Sequence, residues 1–305
     1  MIFLLYFIAI SIWGSTWYVL TFQLGVVSIE LSIAYRFFLA SLFFFLLLGG
    51  SKNLLKLRWQ DHLFFALQGL LLYCASYLCI YNAAHYITSG LNSVTFSLVI
   101  VMNVLFASFF FCRPISAKLL TSALLGVTGV VCIFLPEVEN FSLKQGHNLG
   151  ILLAFCACIF SALGNVTLER NRHLPVAQVN AFSMLYGAAF CFSYALFKGC
   201  PLVFDTSFAY VGSLFYLVFF GSVVAFGCYT RLINLLGAAQ GGYPFVLIPL
   251  VSLLLSQLFE GIQWTPSIIL GLVLILAGNI LIVMKKKSIE TLEKESLSPR
   301  TSTSV

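Results

Sequence analysis

The chain has 305 residues, of which 61% are hydrophobic and only 9% are charged, and its mean hydropathy is +1.02. A soluble domain of this length needs about a quarter of its residues charged to cover its surface, so the composition excludes a water-soluble protein. We therefore expect an all-α polytopic membrane protein whose surroundings are the lipid bilayer. The formal net charge of +6 then serves topology and contact with anionic headgroups, and no nucleic-acid partner is expected.

Apolar segments of about 20 residues, the length that crosses a hydrocarbon core of about 30 Å, follow one another along almost the whole chain. Short connections rich in glycine, proline and charged residues separate them, and none is long enough for a soluble domain. The predicted membrane-spanning helices cover residues 2–22, 30–49, 62–82, 89–111, 119–136, 148–167, 179–197, 209–230, 239–259 and 267–284.

Lysine and arginine fall mainly on one side of this predicted topology. With a cytoplasmic N-terminus, the outer loops hold only Lys144 and Lys198, whereas the inner loops and the end of the last helix hold the clear majority. Cytoplasmic loops carry the excess of basic residues. We therefore expect a multi-pass protein of the cell membrane, the inner membrane in a Gram-negative cell, with both termini cytoplasmic. The polar, Ser/Thr-rich segment 288–305 is predicted to be a disordered cytoplasmic tail.

Motifs of catalysis and cofactor binding are missing from the sequence. The nine cysteines form no CxxC pair and have no metal-ligand spacing with histidine, so neither a metal site nor another cofactor is expected. We find no GxxxxGK[ST], HExxH or GxSxG motif and no paired acids deep in a span. The sequence therefore predicts no catalytic residues and argues against an intramembrane enzyme.

Polar-tipped rings recur at every fourth position of the third predicted span, at Tyr73, Tyr77, Tyr81 and His85. This spacing places them along one side of an α-helix, with a drift of about 40° per step. The outer pair suits the membrane interface, but Tyr77 and Tyr73 lie about 6 and 12 Å deeper than Tyr81. Deep hydroxyl groups that face lipid lack partners, so these two face either a wet cavity or a neighbouring helix.

Arg36 is the one basic residue predicted inside a span. Three roles stay open for it: reaching the headgroups with its long side chain, bonding to a neighbouring helix, or binding a substrate carboxylate or phosphate through its guanidinium fork. His85 is either a group that changes charge near neutral pH or a solvated interfacial histidine. The acids Glu30, Glu260 and Asp61 lie near helix ends, which argues against a buried carboxylate as a proton relay.

The two halves of the chain show weak similarity at an offset of about 147 to 149 residues. CIYNAAHYITSG (79–90) aligns with GCYTRLINLLGAAQG (227–241), so that Tyr81 lies opposite Tyr229. Five spans per half is an odd number, so the second copy enters the membrane from the opposite side. Inverted repeats of this kind are typical of transporters, whose substrate site lies near the middle of the membrane at the repeat interface.

Four segments resemble EamA-type proteins of the drug/metabolite transporter superfamily. ISIWGSTWYVLTF (10–22) and AYRFFLASLFFFLLL (34–48) resemble the first and second helices of that family. YNAAHYITSGLNS (81–93) is similar to its third-to-fourth helix segment, and LLGAAQGGYPFVLIPLVSLLLSQLFEG (235–261) is similar to its ninth helix. The turn FFCRPI (110–115) departs from the family pattern because it has no acidic residue.

The resemblance implies two EamA-like five-helix repeats, at 1–136 and 148–287, around a central cavity that handles small metabolites. We therefore predict a secondary active transporter that exports amino acids or related amphipathic solutes by alternating access. Import, nucleotide-sugar exchange, and a channel or non-transporting partner remain the alternatives. No oligomeric state is indicated.

The predicted substrate-binding residues are polar or aromatic side chains on the spans. Pro244 and Pro249 are predicted to form a hinge in the ninth helix, because proline interrupts backbone hydrogen bonding. The predicted binding residues are Arg36, Tyr73, Tyr77, Tyr81, His85, Asn103, Tyr229 and Tyr243.

Overall fold

A computed structural model describes residues 2–49, 57–112, 114, 117–139, 146–241 and 244–283, and all regular structure among these residues is helical. We number the helices in chain order. They are α1 (Ile2–Gln23), α2 (Ile29–Leu48), α3 (Trp59–Ala83), α4 (Ser89–Phe110), α5 (Ala117–Glu139), α6 (His147–Arg170), α7 (Val176–Phe197), α8 (Phe208–Gly237), α9 (Pro244–Glu260) and α10 (Pro266–Val283).

Seven of these helices, α1 to α4 and α6 to α8, are long and apolar enough to cross a membrane. The prediction of an all-α polytopic membrane protein is therefore confirmed. Three shorter apolar stretches lie in the other helices, at Leu120–Ile133, Pro244–Glu260 and Pro266–Leu281. That these three also cross the membrane stays a prediction, and the predicted tail 288–305 lies outside the described residues.

Polar caps and glycine set several helix ends, since apolar helices carry little other end signal. The Ser28 hydroxyl accepts a hydrogen bond from the backbone nitrogen of Leu31 and caps α2, which ends at Gly49 in the left-handed conformation (φ 58°). Ser207 caps α8 in the same way by accepting from the Tyr210 backbone nitrogen at 3.3 Å. These caps fix the starts of two helices that line the site described below.

Small residues allow the closest helix contacts, as is common where helices meet in a membrane. A β-carbon added to Gly129 of α5 would lie 2.6 Å from the Gly271 carbonyl oxygen of α10. A β-carbon added to Gly271 would in turn meet the Gly129 carbonyl oxygen. On α3, a β-carbon at Gly69 would lie 2.6 Å from the Ser183 carbonyl oxygen of α7. Glycine at these positions lets the two backbones touch.

The helix contacts repeat when each of α1–α5 is matched, in chain order, with one of α6–α10. Helix α1 packs on α9 as α6 packs on α4, and α3 packs on α7 as α8 packs on α2. The pairs α5–α10 and α2–α7 map onto themselves. Helices α3 and α8 each contain a π-helical segment, Gly69–Ala75 and Leu217–Val224, whose first residues lie 148 positions apart.

A candidate substrate cavity

A cavity lies in the interior between α1, α2, α3 and α8, and α4, α6 and α9 each add one residue to its lining. Its empty volume is about 560 Å³. The lining residues are Trp13, Thr16, Trp17, Leu20, Arg36, Leu72, Ser76, Tyr77, Ile80, Phe96, Ser161, Phe226, Tyr229 and Phe245.

Trp13 is the centre of an aromatic wall on one side of this cavity. Its ring stacks on Phe245 with 5.3 Å between centroids and meets the edges of Phe226 and Tyr229 at 5.0 Å each. The indole nitrogen donates a hydrogen bond to the Gly221 carbonyl oxygen at 3.0 Å, which fixes the ring. A wall of fixed rings suits a ligand with a flat apolar body.

Arg36 is the single cation among the lining residues of this cavity, and only 2% of it is exposed. Its Nε donates to the Ser222 hydroxyl of α8 at 2.9 Å, and its Nη1 donates to the Tyr81 hydroxyl at 3.4 Å. The guanidinium carbon lies 4.9 Å from the centre of the Tyr77 ring, a cation–π distance. This burial is incompatible with a side chain that reaches the headgroups, whereas both the interhelical and the ligand-binding roles fit the contacts.

The π-helical segment of α8 explains how Ser222 reaches Arg36. The Ser222 hydroxyl donates to the Leu217 carbonyl five residues earlier at 2.9 Å, a bond that the wider π turn makes possible. The preceding Gly221 gives the guanidinium room, because a β-carbon there would lie 3.1 Å from Arg36 Nη2 and 3.0 Å from Thr16 Cγ2.

The predicted tyrosine stripe divides into three environments. Tyr77 lines the cavity, and Tyr81 is buried behind Arg36 and accepts its hydrogen bond. Tyr73 lies deeper, and its hydroxyl donates to Asn180 Oδ1 of α7 at 3.3 Å. Thr230 of α8 donates to the same oxygen at 2.9 Å, so Tyr73 joins three helices outside the cavity lining.

Among the other predicted binding residues, Tyr229 lines the cavity, while His85 and Asn103 do not. His85 is exposed in the turn after α3. Asn103 is fully buried and accepts a hydrogen bond from Asn165 Nδ2 at 3.0 Å, which joins α4 to α6. The contacts of Asn103 are those of a residue that connects helices.

The ninth-helix predictions concern Tyr243, Pro244 and Pro249. Tyr243 lies outside the described residues. Pro244 is the first residue of α9 and Pro249 lies within it, and both are buried. Their neighbour Phe245 belongs to the aromatic wall, so the proline pair adjoins the cavity.

Several residues of the site were not singled out from the sequence, above all Trp13, Trp17 and Phe226 in the lining and Ser222 beside Arg36. Trp13 and Trp17 are four positions apart in the first span, the same spacing that marked the tyrosine stripe, and could have been found by that signal. Phe226 carries no such signal, because one phenylalanine on an apolar helix looks the same whether it faces lipid or protein. Ser222 becomes notable only through its contact with Arg36.

Acidic side chains at the end of the bundle where α2 and α4 begin lie away from the cavity. Glu30 accepts a hydrogen bond from Lys198 Nζ at 2.6 Å, and this contact raises the pKa of the Lys198 ammonium. Glu260 accepts from the backbone nitrogen and the hydroxyl of Ser89, and thereby joins the end of α9 to the start of α4. Both contacts hold helix ends together.

At the opposite end, Asp61 and Arg170 form an ion pair with 3.5 Å between Oδ1 and Nη1. Arg170 also lies over the Phe64 ring at 3.8 Å. No acidic residue, histidine or lysine lines the cavity, and the described residues contain no cluster of three metal-ligating side chains. Among the described residues, Arg36 therefore provides the only formal charge in the cavity lining.

Comparison with known proteins gives the family. The profile of the EamA-like transporter family matches residues 1–135 and again residues 148–284. The chain belongs to the EamA-like transporter family. Its cavity is thus the interior of a transporter-family fold, and the resemblance seen in the four sequence segments is confirmed.

One curated relative of this EamA-like chain is the uncharacterized inner membrane transporter YicL of Salmonella typhimurium strain LT2. The two are 32% identical over 142 residues, which cover 45% of this chain and 44% of the relative, so less than half of that protein is matched. A solved crystal structure shares the fold, with a TM-score of 0.67 over 97% of this chain and 98% of the other at 18% identity. These findings support a membrane transporter.

Proposed function

We propose that this protein is a secondary transporter that exports small amphipathic metabolites across the cell membrane by alternating access. The observation that carries the proposal is the interior cavity, which combines fixed aromatic rings with one buried cation. Its lining comes from both family matches, with Arg36 and Tyr77 in the first and Phe226 and Tyr229 in the second. A site shared between two halves can open to either side when the halves rock against each other.

The proposed architecture is ten spans in two inverted five-helix repeats, at 1–136 and 148–287. Its support is the exchange symmetry of the helix packing and the two π-helical segments that begin at Gly69 and Leu217. An unusual backbone feature at the same place in both halves is a natural result of duplication. With five spans in each half, the copies are inverted.

The proposed location is the cell membrane, the inner membrane in a Gram-negative cell, with both termini cytoplasmic. The excess of basic residues on the predicted inner side supports this orientation. The printed name of the Salmonella relative, an inner membrane transporter, agrees with the proposed location. Export as the direction rests on the family resemblance.

The proposed hinge lies where α8 leads into α9. Gly237 has φ 81° and ψ 167°, a conformation open to glycine, and it interrupts the helical path there. Pro249 has no N–H for the carbonyl of Phe245 four residues earlier, so α9 lacks one backbone bond beside the cavity. A bend at these points would move the aromatic wall relative to α1 and α2.

Inside-out vesicles provide the direct test of transport. We expect saturable, ATP-independent uptake of at least one solute from a panel of amino acids and amphipathic metabolites, together with counterflow when unlabelled solute is preloaded. Counterflow distinguishes a carrier from a channel, because only a carrier exchanges one bound molecule for another. The absence of uptake across the whole panel would count against the proposal, and uptake only by right-side-out vesicles would indicate import.

A matched pair of tryptophan variants links that transport to the cavity. Trp13→Ala removes the centre of the aromatic wall and should reduce uptake at least tenfold. Trp59→Ala removes a ring that is 82% exposed at the start of α3 and should leave uptake unchanged. The amount of folded protein is measured for both variants. Equal uptake by the two variants would show that transport does not depend on this cavity.

A further inference from the structure

We infer that Arg36 binds the anionic group of the cargo, so that the transported solute is an organic monocarboxylate with a flat apolar body. The juxtaposition that carries this inference is a buried guanidinium, bonded only to neutral groups, beside a wall of aromatic rings in the same cavity. The inference rests on the proposed function and deepens it, because it names the charge class of the solute.

The charge of Arg36 is the first step. Its contacts among the described residues include the Ser222 and Tyr81 hydroxyls and the rings of Tyr77 and Phe37, all of them neutral. The described acidic residues Glu30 and Asp61 pair instead with Lys198 and Arg170 at the helix ends. A buried cation without a counter-ion is costly, and neutral hydrogen bonds offset only part of that cost. A carboxylate in the cavity would neutralise it.

The geometry of the guanidinium is the second step. It carries five N–H donors in a planar fork that matches the two oxygens of a carboxylate. The bonds to Ser222 and Tyr81 start from Nε and Nη1, and Arg36 belongs to the cavity lining. Donors therefore remain for a ligand while the hydroxyls of α8 and α3 hold the guanidinium in place.

The number of charges is the third step. In the part of the chain that the structure describes, the lining contains no lysine, no histidine and no second arginine. A single cation matches a monoanion better than a phosphate dianion, which proteins usually hold with several donors and charges. The remaining polar lining groups are neutral hydroxyls such as Thr16, Ser76 and Ser161.

The aromatic wall defines the rest of the solute. Trp13, Phe245 and Tyr229 offer flat apolar surface, and the buried Tyr229 hydroxyl interacts with the Asn103 side chain at the edge of this surface. This hydroxyl can bond to one polar group on the body of the ligand. The flat face that Trp13 and Phe245 share favours a flat molecule in this cavity.

The test is a binding experiment on the purified full-length protein in detergent, with three probes of the same shape. They are 3-phenylpropanoate, the uncharged 3-phenylpropanamide and the cationic 3-phenylpropylamine. Quenching of tryptophan fluorescence reports binding, since Trp13 and Trp17 line the cavity, and the shift in melting temperature is an independent measure. We expect the carboxylate to bind at least tenfold more tightly than either of the other two.

Variants of two arginines locate that preference. Arg36→Gln should abolish the preference of the protein for the carboxylate over the amide, whereas Arg172→Gln, at an exposed position after α6, should keep it. The wild-type comparison decides the matter alone if Arg36→Gln fails to fold. Equal binding of carboxylate and amide, tighter binding of the amine, or binding of none of the three overturns the inference.

The failure of this inference is distinguishable from failure of the proposed function. If vesicles transport a neutral or cationic solute while the carboxylate does not bind, the protein is a transporter without an anion site. If the carboxylate binds through Arg36 but no solute shows counterflow, the anion site stands and the transport proposal fails.

Discussion

Helices α3 and α8 share a backbone irregularity and differ in what they place on it. Their π-helical segments begin 148 residues apart, at Gly69 and Leu217. At that spacing, Tyr73 and Tyr77 of α3 correspond to Gly221 and Ala225 of α8. The large side chains of α3 supply rings and hydroxyls, whereas the small residues of α8 leave space. Of these four residues only Tyr77 lines the cavity, so two similar backbone segments carry unlike side chains beside it.

The same contrast holds for the helices that pack against them. Arg36 of α2 corresponds, at an offset of 147 or 148 residues, to Ser183 or Met184 of α7, and both of these are fully buried and neutral. Among the described lining residues, only the first half of the chain therefore contributes a charge to the cavity. Gly221 of α8 adds to this difference, because the Arg36 guanidinium lies close to the space that a side chain at residue 221 would fill.

Substitution of Gly69 in α3 should have the largest effect among the variants that test this comparison. In Gly69→Val, the new β-carbon would lie 2.6 Å from the Ser183 carbonyl oxygen and 2.7 Å from the Gly187 backbone nitrogen, so the α7 backbone must move. We expect a loss of about 3 kcal/mol or more of stability and little folded protein. Size-exclusion chromatography and thermal unfolding in detergent measure this. Gly212→Val, with nothing within 4 Å, is the control and should fold normally.

Substitution of Gly221 in α8 should affect ligand binding more than folding. In Gly221→Ala, the β-carbon meets the ends of two side chains, Arg36 Nη2 at 3.1 Å and Thr16 Cγ2 at 3.0 Å, which can shift. We expect normal yield and a roughly tenfold weaker affinity for the carboxylate probe, about 1.4 kcal/mol, because the guanidinium is displaced. Unchanged affinity in a folded variant would show that Arg36 and its neighbour α8 do not set the binding geometry.

Two hydroxyl deletions on α3 should give the smallest and most informative effects. Tyr73→Phe removes the bond to Asn180 and should lower stability by about 1 kcal/mol without changing uptake by vesicles. Tyr77→Phe keeps the ring beside Arg36 but removes a hydroxyl from the cavity, and should lower uptake about threefold at unchanged melting temperature. If Tyr73→Phe lowered uptake and Tyr77→Phe lowered only stability, Tyr73 would be the residue that faces the solute and Tyr77 the one that joins helices.

The helices were predictable from the sequence because the bilayer sets their length and leaves an apolar signature. The predicted ranges for α1, α2 and α10 differ from the observed helices by about one residue. The predicted ninth span begins at residue 239, two residues after Gly237 leaves the helical conformation, whereas the predicted end of the eighth span, at residue 230, falls seven residues before Gly237. Glycine adopts the φ of 81° found at this break without strain, and the sequence pattern alone did not locate it.

The candidate site was predictable only where polarity marked it. Arg36, Tyr77 and Tyr229 stand out on apolar helices and line the cavity. The aromatic wall did not stand out, because phenylalanine and tryptophan occur as often on lipid-facing surfaces. Contacts such as Trp13 with Phe226, more than two hundred positions apart, depend on how the two halves assemble, and no local pattern encodes that.

Arginine has no neutral form at any pH a cell experiences, so Arg36 carries its charge in every state of the protein. In the proposed cycle, a carrier loaded with a monocarboxylate has an electrically neutral site, whereas the unloaded carrier has one positive charge there. The membrane potential, about 2.3 kcal/mol per charge for each 100 mV, then acts on the return of the unloaded carrier rather than on delivery of the cargo. One side chain would in this way make the resting voltage of the cell a determinant of how fast the transporter resets.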